Sequence, residues 1–168
     1  MKIKIATRQS ELALFQANYV MNKIQAQHAE VEVELVPMTS EGDQTEKPLH
    51  EIGGKGLFVT KLESALETGE ADIAVHSLKD VPAKIDIQYS IAAIFEREDP
   101  SDVLLSRNGS SLTDFPSNAS IGTSSPRRKA QILRARTDLN IIPVRGNIST
   151  RIRKLHEGHF DGLIVAKA

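Results

Sequence analysis

Apolar and polar positions alternate along this chain in two distinct rhythms. "KIKIAT" (2–7) alternates and is rich in β-branched residues, which predicts a strand. From Glu11 to about Gln27, Leu12, Phe15 and Tyr19, together with Ala13, Ala17, Val20 and Ile24, recur at helical spacing. "VEVELVPM" (31–38) alternates strictly and predicts a second strand. Residues 39–56 hold Gly, Pro and charge without a period; a loop this long is usually functional or disordered. "LFVTKLESALETG" (57–69) predicts a helix closed by Gly69. "ADIAVHS" (71–77) is short and nearly continuously apolar, as in the buried strands of parallel sheets. "IDIQYSIAAIF" (85–95) is also strand-like.

Charge and Pro in "EREDPSD" (96–102) then break the pattern, which places a hinge there and divides the chain into lobes 1–98 and 99–168. Beyond it the pattern predicts strand "DVLLS", a polar loop and strand "ASIGTSS". A helix from about Pro126 to Arg136, strand "NIIPVRG", a helix near 148–157 and strand "GLIVAKA" complete the series. Strands alternating with helices predict an α/β fold with mainly parallel sheets. With 168 residues, 40% of them hydrophobic, the chain can build one large or two small cores.

Charge changes the picture locally. The net charge is −1, yet nine Lys or Arg and a single acid, Asp138, lie between Arg127 and Lys154. That basic stretch contains no aromatic residue for base stacking, which argues against a nucleic-acid partner. No apolar run is long enough to span a bilayer. The absence of cysteine excludes disulfides, thiolate metal sites and a cysteine nucleophile within these residues, and it fits a cytoplasmic protein. The histidines form no convincing metal set, and "GGKG" (53–56) is no phosphate-binding loop, because position 49 is Leu and Gly56 follows Lys55.

Four polar clusters follow four of the predicted strands: "TRQS" (7–10), "HSLKD" (76–80), "GTSSPRR" (122–128) and "RGNISTR" (145–151). Open α/β sheets bind ligands beyond the carboxyl ends of their strands, so the four clusters point to one shared crevice. In "GTSSPRR", Ser124 or Ser125 can cap a helix and Pro126 suits its first turn. Arg127 and Arg128 then sit at the positive end of the macrodipole, where a bound anion would offset the repulsion. "RGNISTR" repeats the arrangement with Arg145, Gly146, a possible Asn147 cap and Arg151. The planar fork of arginine matches carboxylate or phosphate. Asp80 is the contrasting acid, either a member of a surface ion pair or a turn residue before Pro82, or a carboxylate that faces a developing cation or moves a proton.

"IATRQSELAL", "GGKGLFVTKLE", "ADIAVHSLKDVP", "EREDPSD", "GTSSPRR" and "RGN…TR" closely resemble the porphobilinogen deaminase (hydroxymethylbilane synthase) family, in its order and at its spacing. The resemblance implies a two-lobed fold like the periplasmic binding proteins, followed by a third, C-terminal α+β domain. It implies a transferase of haem biosynthesis that joins four porphobilinogen molecules head to tail, with loss of ammonia, to give hydroxymethylbilane. It also implies a dipyrromethane cofactor carried on a cysteine. By motif, Asp80 would be the catalytic carboxylate, contacting pyrrole N–H groups and stabilising an azafulvenium-like cation. Arg8, Ser10, Lys79, Ser125, Arg127, Arg128, Arg145 and Arg151 would hold carboxylate arms of cofactor and substrate. Lys55, in the Gly-rich end of the long loop, would join them, and Ser77 would belong to the cofactor cradle. Members of that family are longer and supply the cysteine from their third domain. The expectation is therefore a fragment that lacks a C-terminal segment of the same protein and is inactive alone. A non-catalytic anion-binding module of the same fold is the rival reading; it leaves Asp80 without a role.

Overall fold

The computed structural model describes residues 1–39 and 59–167. They form two compact units, Met1–Ala92 and Ala93–Ala168.

The first unit is built on β1 (Lys2–Arg8), β2 (Glu32–Met38) and β3 (Ile73–Ala74), in the order β2-β1-β3 with both pairings parallel. Parallel neighbours need crossovers; helix α1 (Glu11–Gln27) provides the one between β1 and β2. Helix α2 (Thr60–Glu67) precedes β3. The pleat sends Ile5 and Ala6 of the central strand to opposite faces. Ile5 packs with Ala17, Val20, Val31 and Val33, while Ala6 packs with Met38, Leu62, Ala65 and Ala71. The centre of the sheet is thus buried on both faces, while Lys2, Glu32 and Glu34 leave one face exposed where β1 and β2 begin.

The predicted strand over 71–77 shrinks to two residues. Its backbone bonds to β1 run from Asp72 N–H, which donates to the Lys4 carbonyl, to Val75 N–H, which donates to the Ala6 carbonyl. Beyond Val75 the chain turns out of the sheet. The strand expected over 85–95 does not form. Alternation makes a strand only where a neighbour supplies the ladder, and none of the described strands pairs with this segment. Side chains secure it instead: Gln88 Nε2 and the Tyr89 hydroxyl each lie 2.8 Å from Glu67 Oε1 on α2. Burial and the neighbouring acids push the Tyr89 phenol up to about 12. The helix predicted from 57 begins at Thr60 and is followed by Gly69 in the left-handed region, φ 70°; residues 57 and 58 lie outside the described residues.

The second unit has four strands in the order β4-β7-β5-β6: β4 (Asp102–Ser106), β5 (Ser120–Gly122), β6 (Asn140–Ile142) and β7 (Gly162–Ala166). β5 pairs in parallel with β6 and β7, whereas β4 runs antiparallel to β7 with Asp102 opposite Ala166. Helices α3 (Pro126–Ala135) and α4 (Ile148–His156) follow β5 and β6. Side chains on one face of the sheet, Ile121 and Ile164, pack with Ile132 of α3; those on the other, Leu163 and Val165, pack with Leu155 of α4.

Two positions test this packing. A Cβ on Gly122 would come 2.8 Å from Val144 Cγ2 and 3.0 Å from the Phe160 ring. Gly122→Ala is therefore expected to cost about 1–3 kcal/mol in urea unfolding; an unchanged midpoint would contradict the packing described. Asp161 accepts from Ser120 N–H and Ser120 Oγ at 2.8 and 2.7 Å, binding the loop before β7 to β5. These bonds, helped by Arg107, hold the Asp161 carboxyl below its ordinary value. A depressed carboxyl stabilises the fold above its unfolded value of 3.8 and loses that contribution as pH falls through the folded value. The stability gap between wild type and Asp161→Asn should be constant near neutrality and narrow below about pH 4. A gap that widens on acidification would contradict the linkage.

Candidate functional site

Each unit gathers its polar groups where parallel strands end. In the first, β1 and β3 are neighbours, so their carboxyl ends deliver Arg8 and the residues after Ala74 to one edge. Thr7, fully buried, donates from Oγ1 to the Ala13 carbonyl and so ties β1 to the first turn of α1. Ser10 is the α1 N-cap and accepts from Ala13 N–H at 3.3 Å.

After β3, a single 3₁₀ turn spans Leu78–Asp80, closed by Asp80 N–H on the Ser77 carbonyl and Val81 N–H on the Leu78 carbonyl. The turn brings Asp80 Oδ2 to 3.7 Å from Arg8 Nη1; both side chains are largely buried, at 19% and 23% exposure for Arg8 and Asp80. Asp80 therefore does not stand free on the surface. Lys79 is exposed on the same turn. Ser77 Oγ donates to Gln16 Oε1 at 2.9 Å, which leaves its oxygen as an acceptor. Burial pushes His76 below its ordinary value; Asp80 opposes that shift and Arg8 adds to it. His76 is accordingly neutral at pH 7 beside an ion pair.

In the second unit, adjacent β5 and β6 end at the same edge, and each leads into a capped helix. Ser125 caps α3, accepting from Arg128 N–H at 3.4 Å, with Pro126 in the first turn. Ser124 instead bridges to the chain beyond β6. Its hydroxyl donates to the Val144 carbonyl at 2.7 Å and accepts from Val144 N–H at 2.8 Å. Buried Thr123 accepts from Ser125 N–H. Asn147 caps α4, accepting from Thr150 N–H at 2.8 Å. Gly146, at φ 105°, makes the turn between β6 and α4, and a Cβ there would lie 2.8 Å from Thr150 Cγ2. A capping hydroxyl that accepts an N–H keeps its own O–H for a ligand, so Ser10 and Ser125 remain able to donate to an anion.

The arginines form two groups that share Arg128. Arg151 donates from Nε to the Gly146 carbonyl at 2.7 Å. Burial holds its guanidinium below its ordinary value, and Arg128 and Arg145 lower it further by repulsion. Arg128 and Arg145 thus lie near enough to Arg151 to repel it, at the N-terminal ends of two helices, where the dipole also favours anions over cations. Arg127 and Arg128 share Asp102. Arg127 spans both carboxylate oxygens, with Nη1–Oδ2 at 2.7 Å and Nη2–Oδ1 at 3.2 Å. Arg128 places Nε 3.0 Å and Nη2 2.9 Å from Oδ1, and donates from Nη1 to the Ile164 carbonyl at 3.3 Å. The hydrogen bond from Arg127 leads the effects that hold the Asp102 carboxyl below its ordinary value.

Of the residues expected from the sequence, Arg8, Ser10, Ser77, Lys79 and Asp80 gather at the edge of the first sheet. Ser125, Arg127, Arg128, Arg145 and Arg151 gather at the edge of the second. Lys55 lies outside the described residues. Sequence reasoning missed Gln16 and Asp102. Gln16 is one polar position on a helix, with nothing in its spacing to mark it. Asp102 sits at the amino end of its strand, whereas the clusters legible in the sequence all follow carboxyl ends.

Comparison with solved structures shows the fold. The periplasmic VFT2 domain of Bordetella pertussis BvgS matches with a TM-score of 0.53 at 14% identity, covering 99% of this chain and 66% of that one. The ligand binding component of an ABC-type import system from Staphylococcus aureus, solved with zinc bound, gives 0.51 at 16% identity, covering 99% and 55%. These place the chain in the two-lobed, periplasmic-binding-protein-like α/β class. Sequence relatives are much closer. The porphobilinogen deaminase of Lawsonia intracellularis (strain PHE/MN1-00) is 52% identical over 168 residues, 99% of this chain and 54% of that protein. That of Campylobacter curvus (strain 525.92) is 51% identical over 167 residues, with the same coverage. The chain spans about half the length of the curated relatives it matches. Residues 3–168 match the family model described as "Porphobilinogen deaminase, dipyromethane cofactor binding domain", and the chain belongs to that family.

Proposed function

We propose that this chain supplies the carboxylate-holding groups and the catalytic carboxylate of a hydroxymethylbilane synthase, which joins porphobilinogen units head to tail with loss of ammonia. The observation that carries this reading is the placement of Arg128, Arg145 and Arg151 at the start of two capped helices that follow adjacent strands, where helix N–H groups and guanidinium forks both favour an anionic ligand. Pyrroles bearing acetate and propionate arms are such ligands. The donor set therefore fits a dipyrromethane, which when bound supplies the anchored end that chain extension requires. With no cysteine among these 168 residues, a thiol anchor would have to come from outside them.

The remaining roles belong to the protein's own groups. Arg8 fixes the position of the Asp80 carboxylate. Asp80 accepts from pyrrole N–H groups and stabilises the positive charge that develops on the ring as the amine departs. Ser10 and Ser125 donate their free hydroxyl protons to carboxylate arms, Lys79 adds a mobile cation, and Ser77 stays an acceptor while Gln16 holds its proton. Lys55 completes the set by motif. The reaction is assigned to the cytoplasm, and activity to a polypeptide of the relatives' full length, with a C-terminal segment as partner. A non-catalytic binding module would use the arginines and leave Asp80 idle.

Calorimetric titration of the chain with a dipyrrole carrying acetate and propionate arms should show binding that Arg151→Ala weakens about 10- to 100-fold. Equal affinity in the variant would remove the support for this reading. In an enzyme completed to the relatives' length, Asp80→Asn should lower kcat by about 10²–10⁴ while KM changes little. A wild-type rate in that variant would favour the binding module. The isolated chain should form no hydroxymethylbilane; turnover by it would overturn the assignment to a longer polypeptide.

A further inference from the structure

Asp102 reaches the edge where β5 and β6 end by an unusual route. β4 is the one antiparallel strand among those described, so its first residue, not its last, lies at the carboxyl edge of β7 and β5. There Asp102, with its side chain 19% exposed, receives both arginines of the α3 first turn. The two-point grip of Arg127 fixes the carboxylate, and the carboxylate fixes Arg128 through Nε and Nη2. The Ile164 carbonyl holds the third nitrogen. Two of the five guanidinium N–H groups of Arg128 are thereby hydrogen-bonded to the protein, with Nη2 in ionic contact with Asp102, and the plane of the fork is set.

We propose that Asp102 is a positioning residue for carboxylate recognition, acting through Arg128. This rests on the reading of the Arg128–Arg145–Arg151 cluster as the carboxylate site. Electrostatics alone makes the opposite prediction. An acid beside an anion site repels the anion, so its neutralisation should tighten binding. A positioning role requires it to weaken binding, because an unheld arginine must be ordered by the ligand itself.

The test is dipyrrole titration of wild type, Asp102→Asn, Arg128→Ala, the double variant and Arg151→Ala. Asp102→Asn should weaken binding about ten-fold and have little further effect once Arg128 is Ala, as expected of groups that act together. In a ¹H–¹⁵N spectrum the Arg128 Nε–H signal should be protected in wild type and exchange-broadened in Asp102→Asn. Asp102→Glu, which keeps the charge at a new reach, should restore part of the affinity; it also serves if Asp102→Asn does not fold. Unchanged or tighter binding by Asp102→Asn, or an equal loss in the Arg128→Ala background, overturns the proposal. If Arg151→Ala also binds as wild type does, the carboxylate reading itself has failed. If Asp102→Asn gives an overturning result while Arg151→Ala binds weakly, only the role of Asp102 has failed.

Discussion

Like charges gathered at the positive ends of helices repel both each other and the helix dipoles, and the second unit must hold them there. The structure answers with specific bonds. Asn147 and Ser125 satisfy free N–H groups of the two helices. Arg151 is held by the Gly146 carbonyl, Arg127 and Arg128 by Asp102. These bonds fix where the guanidinium groups are, and the Asp102 carboxylate offsets part of the charge; two guanidinium groups share that one carboxylate, so positive charge stays in excess there. Repulsion of this kind costs on the order of 0.3–1 kcal/mol per charge at a helix end, small enough for a well-packed sheet to sustain.

The first unit solves a complementary problem. There the charges that meet are opposite, a carboxylate and a guanidinium, both partly buried. Arg8 sits at 3.7 Å from Asp80, near enough to orient it yet too far for a tight hydrogen bond. The short 3₁₀ turn after β3 and the end of β1 make this possible because the two strands are neighbours. The neutral His76 beside the pair adds no charge of its own at pH 7.

Much of this was legible in the chain. The helix over Glu11–Gln27 was readable because its apolar positions keep helical spacing through its whole length. That caps stand before Pro126 and near Asn147 was readable because residues that can accept a helix N–H precede a first-turn Pro in one case and a helical run in the other. The strand expected over 85–95 was not realised, because alternation records a possible face and cannot supply a neighbouring ladder. The choice between Ser124 and Ser125 was equally closed to sequence. Both can cap, and only the approach of Val144 draws Ser124 away.

By itself, the sequence determined the local chemistry: which segments are amphipathic, which turns can cap, and which arginines and acids stand beside them. Those properties depend on neighbours a few bonds away. Tertiary structure alone decided the pairings, Arg8 with Asp80 and Asp102 with Arg127 and Arg128, since each joins positions far apart in the chain. The direction of β4 is the clearest case. The five residues of "DVLLS" are too few to show in which direction the strand will pair, because that depends on which neighbour it meets, and here it decided that an aspartate would lie among the arginines.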